Sequence, residues 1–287
     1  MNWFEKILAA LDGRMETPTM YGWFHLMFWA LVVVATVLLC YFAVKNRKDK
    51  DKMAKMTRIV VLTYSIVTIL LEVYKQLNFS FNSTTGEWHY QWYAFPFQFC
   101  STPMYIGLIA GCVKKGKFQE FLYSYLATYA LFAGLAVMFL PSDVFISTIG
   151  INIQTMICHG GMVVVGIFLF FSGMVKLEWK TILKALSVFC VLVFIALILN
   201  VIFNSTGNTA TFNMFFISPF LPCTLPLLSM IYPLVPYPIF LIIYIAGFTL
   251  AALVMLAIAI GINQIVKGRK SRPGLSDDET MEKSSPC

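Results

Sequence analysis

Apolar residues in this chain gather in long unbroken runs instead of alternating with polar ones. Seven runs, at residues 22–44, 57–78, 95–113, 120–140, 151–175, 183–203 and 238–265, each approach the ~20 residues that a tilted helix needs to cross a bilayer. The pattern predicts an all-α polytopic membrane protein with seven transmembrane helices, because backbone in lipid must satisfy its own hydrogen bonds. Residues 22–265 form this membrane domain. Two stretches depart from the pattern. The third run, "YAFPFQFCSTPMYIGLIAG", opens with Gln98, Cys100, Ser101 and Thr102 between Pro96 and Pro103. Residues 204–237 are apolar but carry Pro219, Pro222, Pro226, Pro233 and Pro236, with Pro238 just beyond. That density of proline excludes a regular spanning helix. It predicts a lid or short interfacial helices over the outer mouth of the bundle, or a long loop resting on the membrane surface.

The first 21 residues contain "NWFEKILAALDG", which puts Trp3, Phe4, Ile7, Leu8 and Leu11 on one helical face, with Gly13 as a stop. Nothing there resembles a cleavable signal. An interfacial helix and a frayed amphipathic tail both fit this pattern.

Charge sets the expected orientation. Lys45, Arg47, Lys48, Lys50, Lys52, Lys55 and Arg58 follow the first run. Lys114, Lys115 and Lys117 follow the third, Lys176 and Lys180 the fifth, and Lys267, Arg269, Lys270 and Arg272 the last. Loops 79–94, 141–150 and 204–237 hold no Lys or Arg. Basic clusters on alternate sides predict an N-terminus outside and a C-terminus in the cytoplasm, most simply in the plasma membrane. The polar residues 266–287 read as a disordered cytoplasmic tail.

Composition agrees. Of 287 residues, 59% are hydrophobic and 12% charged, and mean hydropathy is +0.77. The net charge of +7 lies in loops flanking apolar runs, not on a recognition helix, so nucleic acid is not an expected partner. Seven cysteines without a CxxC pair do not form a disulfide framework. Three histidines without a ligand spacing imply no metal, and no phosphate-binding Gly loop or GxSxG elbow points to a cofactor or a serine hydrolase. The seventh run lacks the Lys that a retinal Schiff base needs. The sequence leaves the oligomeric state open.

Polar groups inside the runs carry the chemical information, since an ionisable residue at mid-helix costs about 2.5–3.5 kcal/mol on insertion scales. With the orientation above, Glu72, Lys75, Gln98, Cys100, Asn152, Gln154, His159 and Asn200 all fall in the outer half of the bundle, which predicts an outward-facing polar cavity. Glu72 and Lys75 share a face and read either as an ion pair or as snorkelling interfacial residues. Cys100 lies about 9 Å along its run and His159 about 13 Å along the fifth. Their depths differ by less than one helical turn of ~5.4 Å. A thiol and an imidazole that meet can act as nucleophile and base. Packing is the plainer reading of the Cys and of Gly160 and Gly161 beside the His.

The patches "FPFQFCSTPMYI", "IQTMICHGGMVVVGIFLF" and "NTATFNMFFISP", in that order, resemble the YwaF-like membrane family. That family is similar to an animal transmembrane protein reported as a cysteine-dependent acyltransferase of ether phospholipids. It is distantly similar to the androgen-induced membrane hydrolases. The resemblance implies that Cys100 is the acyl acceptor, that His159 is the histidine of the fifth helix, and that Asn213 matches an Asn before the last helix. A membrane lipid or other acyl substrate is then the expected partner. Gln98, Asn213, Glu72 and Lys75 become candidates for substrate binding or for the oxyanion. Bacterial relatives often carry His at the position of Gln98, so catalysis and simple binding both stay open here. A non-enzymatic transporter of small molecules and a seven-helix receptor are the alternative readings. Asn78, Asn82 and Asn204 sit in glycan sequons on the expected outer side.

Overall fold

The computed structural model describes residues 1–206 and 211–270. Among the described residues there is no strand, only the isolated bridges Arg14–Thr148 and Phe81–Trp88. The helices in chain order are α1 (Trp3–Leu11), α2 (Trp23–Asn46), α3 (Lys50–Ser80), α4 (Thr102–Cys112), α5 (Lys117–Phe139), α6 (Ile149–Ser172), α7 (Thr181–Ser205), α8 (Leu228–Ile231) and α9 (Tyr237–Lys270). The chain is therefore an all-helical, polytopic membrane protein. Six of these helices, α2, α3, α5, α6, α7 and α9, are long and apolar enough to cross a membrane.

The seventh expected span takes a different form. Over residues 95–113 only the 11 residues of α4 are helical, about 16 Å at 1.5 Å per residue and far short of a ~30 Å hydrocarbon core. The cause lies in the sequence. Pro96 and Pro103 cannot continue a helix from the residues before them, and Pro103 sits in the first turn of α4, where its missing N–H is harmless. Residues 95–101 run as turns. The expected tail, residues 266–287, overlaps α9, which continues to Lys270, and residues 271–287 lie outside the described residues.

α6 is the central helix. It packs against α2, α3 and α5 and buries residues on every side, from Ile151 to Ser172. Its glycines allow that crowding. A Cβ added at Gly161 would lie 2.7 Å from the Tyr64 ring of α3, and one at Gly134 of α5 would lie 2.7 Å from the carbonyl oxygen of His159. In lipid such close packing, not a hydrophobic driving force, holds helices together. The outer helices bury single stripes. α2 turns Phe24, Phe28 and Val32 inward while Leu31, Val34 and Leu38 face outward. α5 carries a π-turn at Leu126–Ala130, and Tyr125 and Tyr129 stack there with centroids 5.8 Å apart.

The proline-rich segment packs deeper than a cover over the mouth. Phe212, Met214, Phe215 and Ile217 are fully buried. The Phe215 ring sits 5.7 Å from Phe99 and 6.3 Å from Phe189 of α7. Phe215 and Phe216 both have positive φ, 59° and 56°, a strained conformation for bulky residues that persists only when neighbours hold it. Asn200 holds it from α7: its amide donates to the Met214 carbonyl at 2.9 Å and accepts from the Met214 N–H at 2.7 Å.

The amino-terminal helix docks. Asn2 and Glu5 form a capping box. Phe4 stacks on Trp88 at 6.4 Å, Leu8 is buried, and Tyr74 donates to the Leu11 carbonyl at 3.1 Å. The capping bond and the indole N–H of Trp88, 3.3 Å from Glu5, hold the Glu5 carboxyl below the usual glutamate range.

Candidate functional site

A tight turn presents Cys100. The N–H groups of Ser101 and Thr102 both donate to the Gln98 carbonyl, at 2.8 and 3.1 Å. Thr102 spends its single hydroxyl proton on the Phe99 carbonyl at 3.0 Å, so the fully buried Tyr125 is the donor in their 2.9 Å contact. The backbone around Cys100 is locked from both sides, and the residue as a whole is half-buried.

Gln98 performs a second task. Its amide nitrogen donates to the Asn213 carbonyl at 3.0 Å, and its amide oxygen accepts from the Phe215 N–H at 2.9 Å. The turn carrying Cys100 is thereby clamped to the strained Phe215 segment. One amide hydrogen of Gln98 is left over. Asn213 organises the same segment, donating to the Pro222 carbonyl at 3.1 Å and accepting from the Ser218 N–H at 2.9 Å.

Glu72 and Lys75 pair at 2.8 Å, three residues apart on α3, with both side chains largely buried. Gln76 completes the group: its amide donates to Glu72 at 2.7 Å and to the Ala94 carbonyl at 2.6 Å. The pair lies within electrostatic reach of both Cys100 and Cys158.

α6 meets the turn at Cys158, whose sulfur lies 3.9 Å from the Cys100 carbonyl oxygen. His159 is the next residue of the same helix, about 100° round its axis. Its Nδ1 lies 2.7 Å from the Thr155 carbonyl. A carbonyl can only accept, so Nδ1 carries the proton and Nε2 of the neutral ring is a bare lone pair. That nitrogen is buried and has no hydrogen-bond partner among the described residues. The hydroxyls of Tyr64 and Ser65, on α3, are also buried and without a partner among the described residues.

The structure thus brings Gln98, Cys100 and Asn213 to one seam and sets Glu72 and Lys75 beside it, with α6 touching at Cys158. A cleft of about 430 Å³ near this end is lined by Gln76, Leu77, Ser80, Trp88 and Tyr90, and neither Cys100 nor His159 borders it. Aromatic rings fill the space beneath the turn: Phe99 lies 5.6 Å from Phe189 and 4.9 Å from Phe248. Two other polar residues have structural employment. Asn152 braces the loop before α6 through both the N–H and the carbonyl of Ile146, at 3.0 and 2.6 Å. Asn204 donates to the Asn200 and Phe212 carbonyls at 2.8 Å, so its sequon nitrogen is engaged, whereas Asn82 is exposed.

Cys158, Tyr64 and Gln76 carry no role in the sequence reading. A signal for Cys158 exists in hindsight: it adjoins His159 on the same helix, about 100° round the axis. No comparable signal marks Tyr64 or Gln76. Among the described residues, no three His, Cys, Asp or Glu side chains group to hold a metal ion.

A model of the TMEM164 family matches residues 20–259. The chain belongs to the TMEM164 family. The match spans all six long helices except the far end of α9, together with the turn at Cys100, the Glu72–Lys75 pair and His159. Membership in the TMEM164 family, a transmembrane family, agrees with the apolar helices and makes this an integral multi-pass membrane protein. No curated protein and no solved structure matches the chain.

Proposed function

We propose that this TMEM164-family protein transfers or hydrolyses acyl groups of membrane lipids through Cys100 and His159. In this reading Nε2 of His159 takes the Cys100 proton, and the thiolate attacks the ester carbonyl of the lipid. A C–S bond forms, the acyl C–O bond breaks, and the proton passes to the departing alcohol. A second alcohol, or water, then attacks the thioester and returns the proton to sulfur through the same nitrogen. The remaining amide hydrogen of Gln98 is the nearest candidate to support the oxyanion. Asn213, Glu72 and Lys75 serve the site by organising its roof and its flank. The observation that carries the reading is the buried, unpartnered Nε2 of His159, beside a helix contact with the turn of Cys100. The likeness to the YwaF-like group and its acyltransferase relative is consistent with it.

The same reading places the amino-terminus outside and counts seven crossings, the third a composite of turn and short helix. Two contacts favour that count: Gln76, near one end of α3, bonds Ala94, and Arg58, near the other, bonds the Val113 carbonyl at 2.6 Å. Residues 94–113 therefore run antiparallel to α3 between those two levels. Irregular backbone at such depth is tolerated where protein covers it.

The test is covalent labelling of the purified protein with an acyl-mimetic thiol probe, comparing wild type with Cys100→Ala, Cys158→Ala and His159→Ala. Labelling that needs Cys100 and His159 but not Cys158 is expected. Labelling that survives loss of Cys100, or none in the wild type, replaces this reading with cargo binding.

A further inference from the structure

A second site lies at the opposite end of α4 from Cys100. A cavity of about 500 Å³ opens there, and four lysines line it. They come from four separate segments: Lys50 from the first turn of α3, Lys115 from the link between α4 and α5, Lys176 from the link between α6 and α7, and Lys184 from α7. Loop lysines that only fix membrane orientation need not converge on one cavity. One carboxylate, Glu120, is also in the lining, and Lys184 already holds it at 3.0 Å. Lys50, Lys115 and Lys176 have no carboxylate partner among the described residues.

Two further features point inward at an acceptor-rich ligand. Gly116, another lining residue, is the N-cap of α5 and supplies no side-chain cap. The first N–H groups of that 23-residue helix are left open, at the end where its dipole favours an anion. Tyr123 lines the same cavity while only 3% exposed, and its hydroxyl has no hydrogen-bond partner among the described residues. Its hydroxyl proton is therefore free to donate to a ligand in the cavity. Phe118 and Trp179, near lining residues in sequence, are 60% and 57% exposed, and aromatic residues of this type favour headgroup depth.

We propose that this cavity binds a multiply charged phosphate ester. Lys50, Lys115 and Lys176 neutralise its charge, and Tyr123 donates to a phosphate oxygen. Anionic lipid headgroups between helices and soluble inositol phosphates share this chemistry.

Two arms test it on the full chain. One measures retention of phosphatidylinositol bisphosphate by the protein in phosphatidylcholine nanodiscs. The other measures binding of free inositol trisphosphate to the protein in neutral detergent. Lys115→Gln/Lys176→Gln is expected to weaken binding roughly thirtyfold in whichever arm holds the natural source. Tyr123→Phe, which keeps the ring and the packing, is expected to weaken it about threefold. Lys45→Gln/Lys55→Gln, basic residues outside the lining, is the control and is expected to change binding by less than about twofold. Binding in the nanodisc arm alone identifies a lipid headgroup, and binding in both identifies a headgroup readable without its lipid. Equal losses in the cavity and control variants would mean a diffuse surface potential and overturn the proposal, as would the absence of saturable binding in both arms.

Discussion

His25 of α2 and His159 of α6 are both buried, at 0% and 6% exposure, yet their rings are bonded differently. His25 accepts from the Tyr21 N–H at 2.9 Å through Nδ1 and donates to the Met138 carbonyl at 2.8 Å through Nε2. Every polar atom of that ring is used, and its work is to tie the start of α2 to the end of α5. His159 spends one nitrogen on its own helix and leaves the other bare. Burying an imidazole is the same physical problem in both places. Only one of them solves it completely, and the incomplete one is the neighbour in sequence of Cys158, which touches the thiol turn.

The largest effect that can break this contrast is kinetic. Replacing His159 with Ala is expected to slow acyl-probe labelling of Cys100 by about 10²–10⁴-fold, the range for loss of a general base. Time-resolved mass spectrometry of the labelled protein measures it. If His25→Ala slows labelling as much, the two rings are not distinct and the proposed base is wrong. The next effect is on stability, and it should fall on the other histidine. His25→Ala orphans the Tyr21 N–H and is expected to lower unfolding stability by about 1–3 kcal/mol. Denaturation in detergent, followed by tryptophan emission, reports it.

Third comes the clamp. Gln98→Ala frees the Phe215 N–H and the Asn213 carbonyl and removes the hold on a strained segment. A loss of about 1–2 kcal/mol is expected, with faster alkylation of Cys100 by a water-soluble reagent. Unchanged alkylation would mean that the segment keeps its place without Gln98. The smallest effect is at the amino-terminus. Glu5 has a depressed folded pKa, so the support it lends to α1 is present above the ordinary glutamate range and lost as pH falls through the lower folded value. Hydrogen exchange of residues 3–11 is expected to accelerate only in that acid window, with the exchange of α6 unchanged.

The long helices were readable because twenty apolar residues in lipid have few alternatives. The boundaries of α2, α6 and α7 fall within a few residues of the hydrophobic runs. α4 was misjudged because hydropathy does not report backbone conformation: residues 95–101 are as apolar as a helix, but two prolines and the bonds to the Gln98 carbonyl make them a turn. Spacing put Glu72 and Lys75 on one face and left an ion pair and interfacial snorkelling both open, and the structure pairs them. Gln98 stood out within an apolar run and Asn213 entered only through the family resemblance, but their partners lie more than a hundred residues away in sequence or in an irregular segment, and no periodicity encodes such contacts. The meeting of α6 with the turn at Cys158 depends on the rotation of one helix about its axis, which depth along the membrane normal does not fix.

The clamp between Gln98 and the Phe215 segment joins parts of the chain 115 and 117 residues apart. During synthesis the turn bearing Cys100 therefore emerges long before its anchor exists. A nascent chain that has inserted α2 to α6 still lacks the bonds that shape its thiol, and a product truncated ahead of residue 212 can never acquire them. Whatever Cys100 does, it is a capacity that the polypeptide gains late, once the stretch ahead of α9 has folded back onto it.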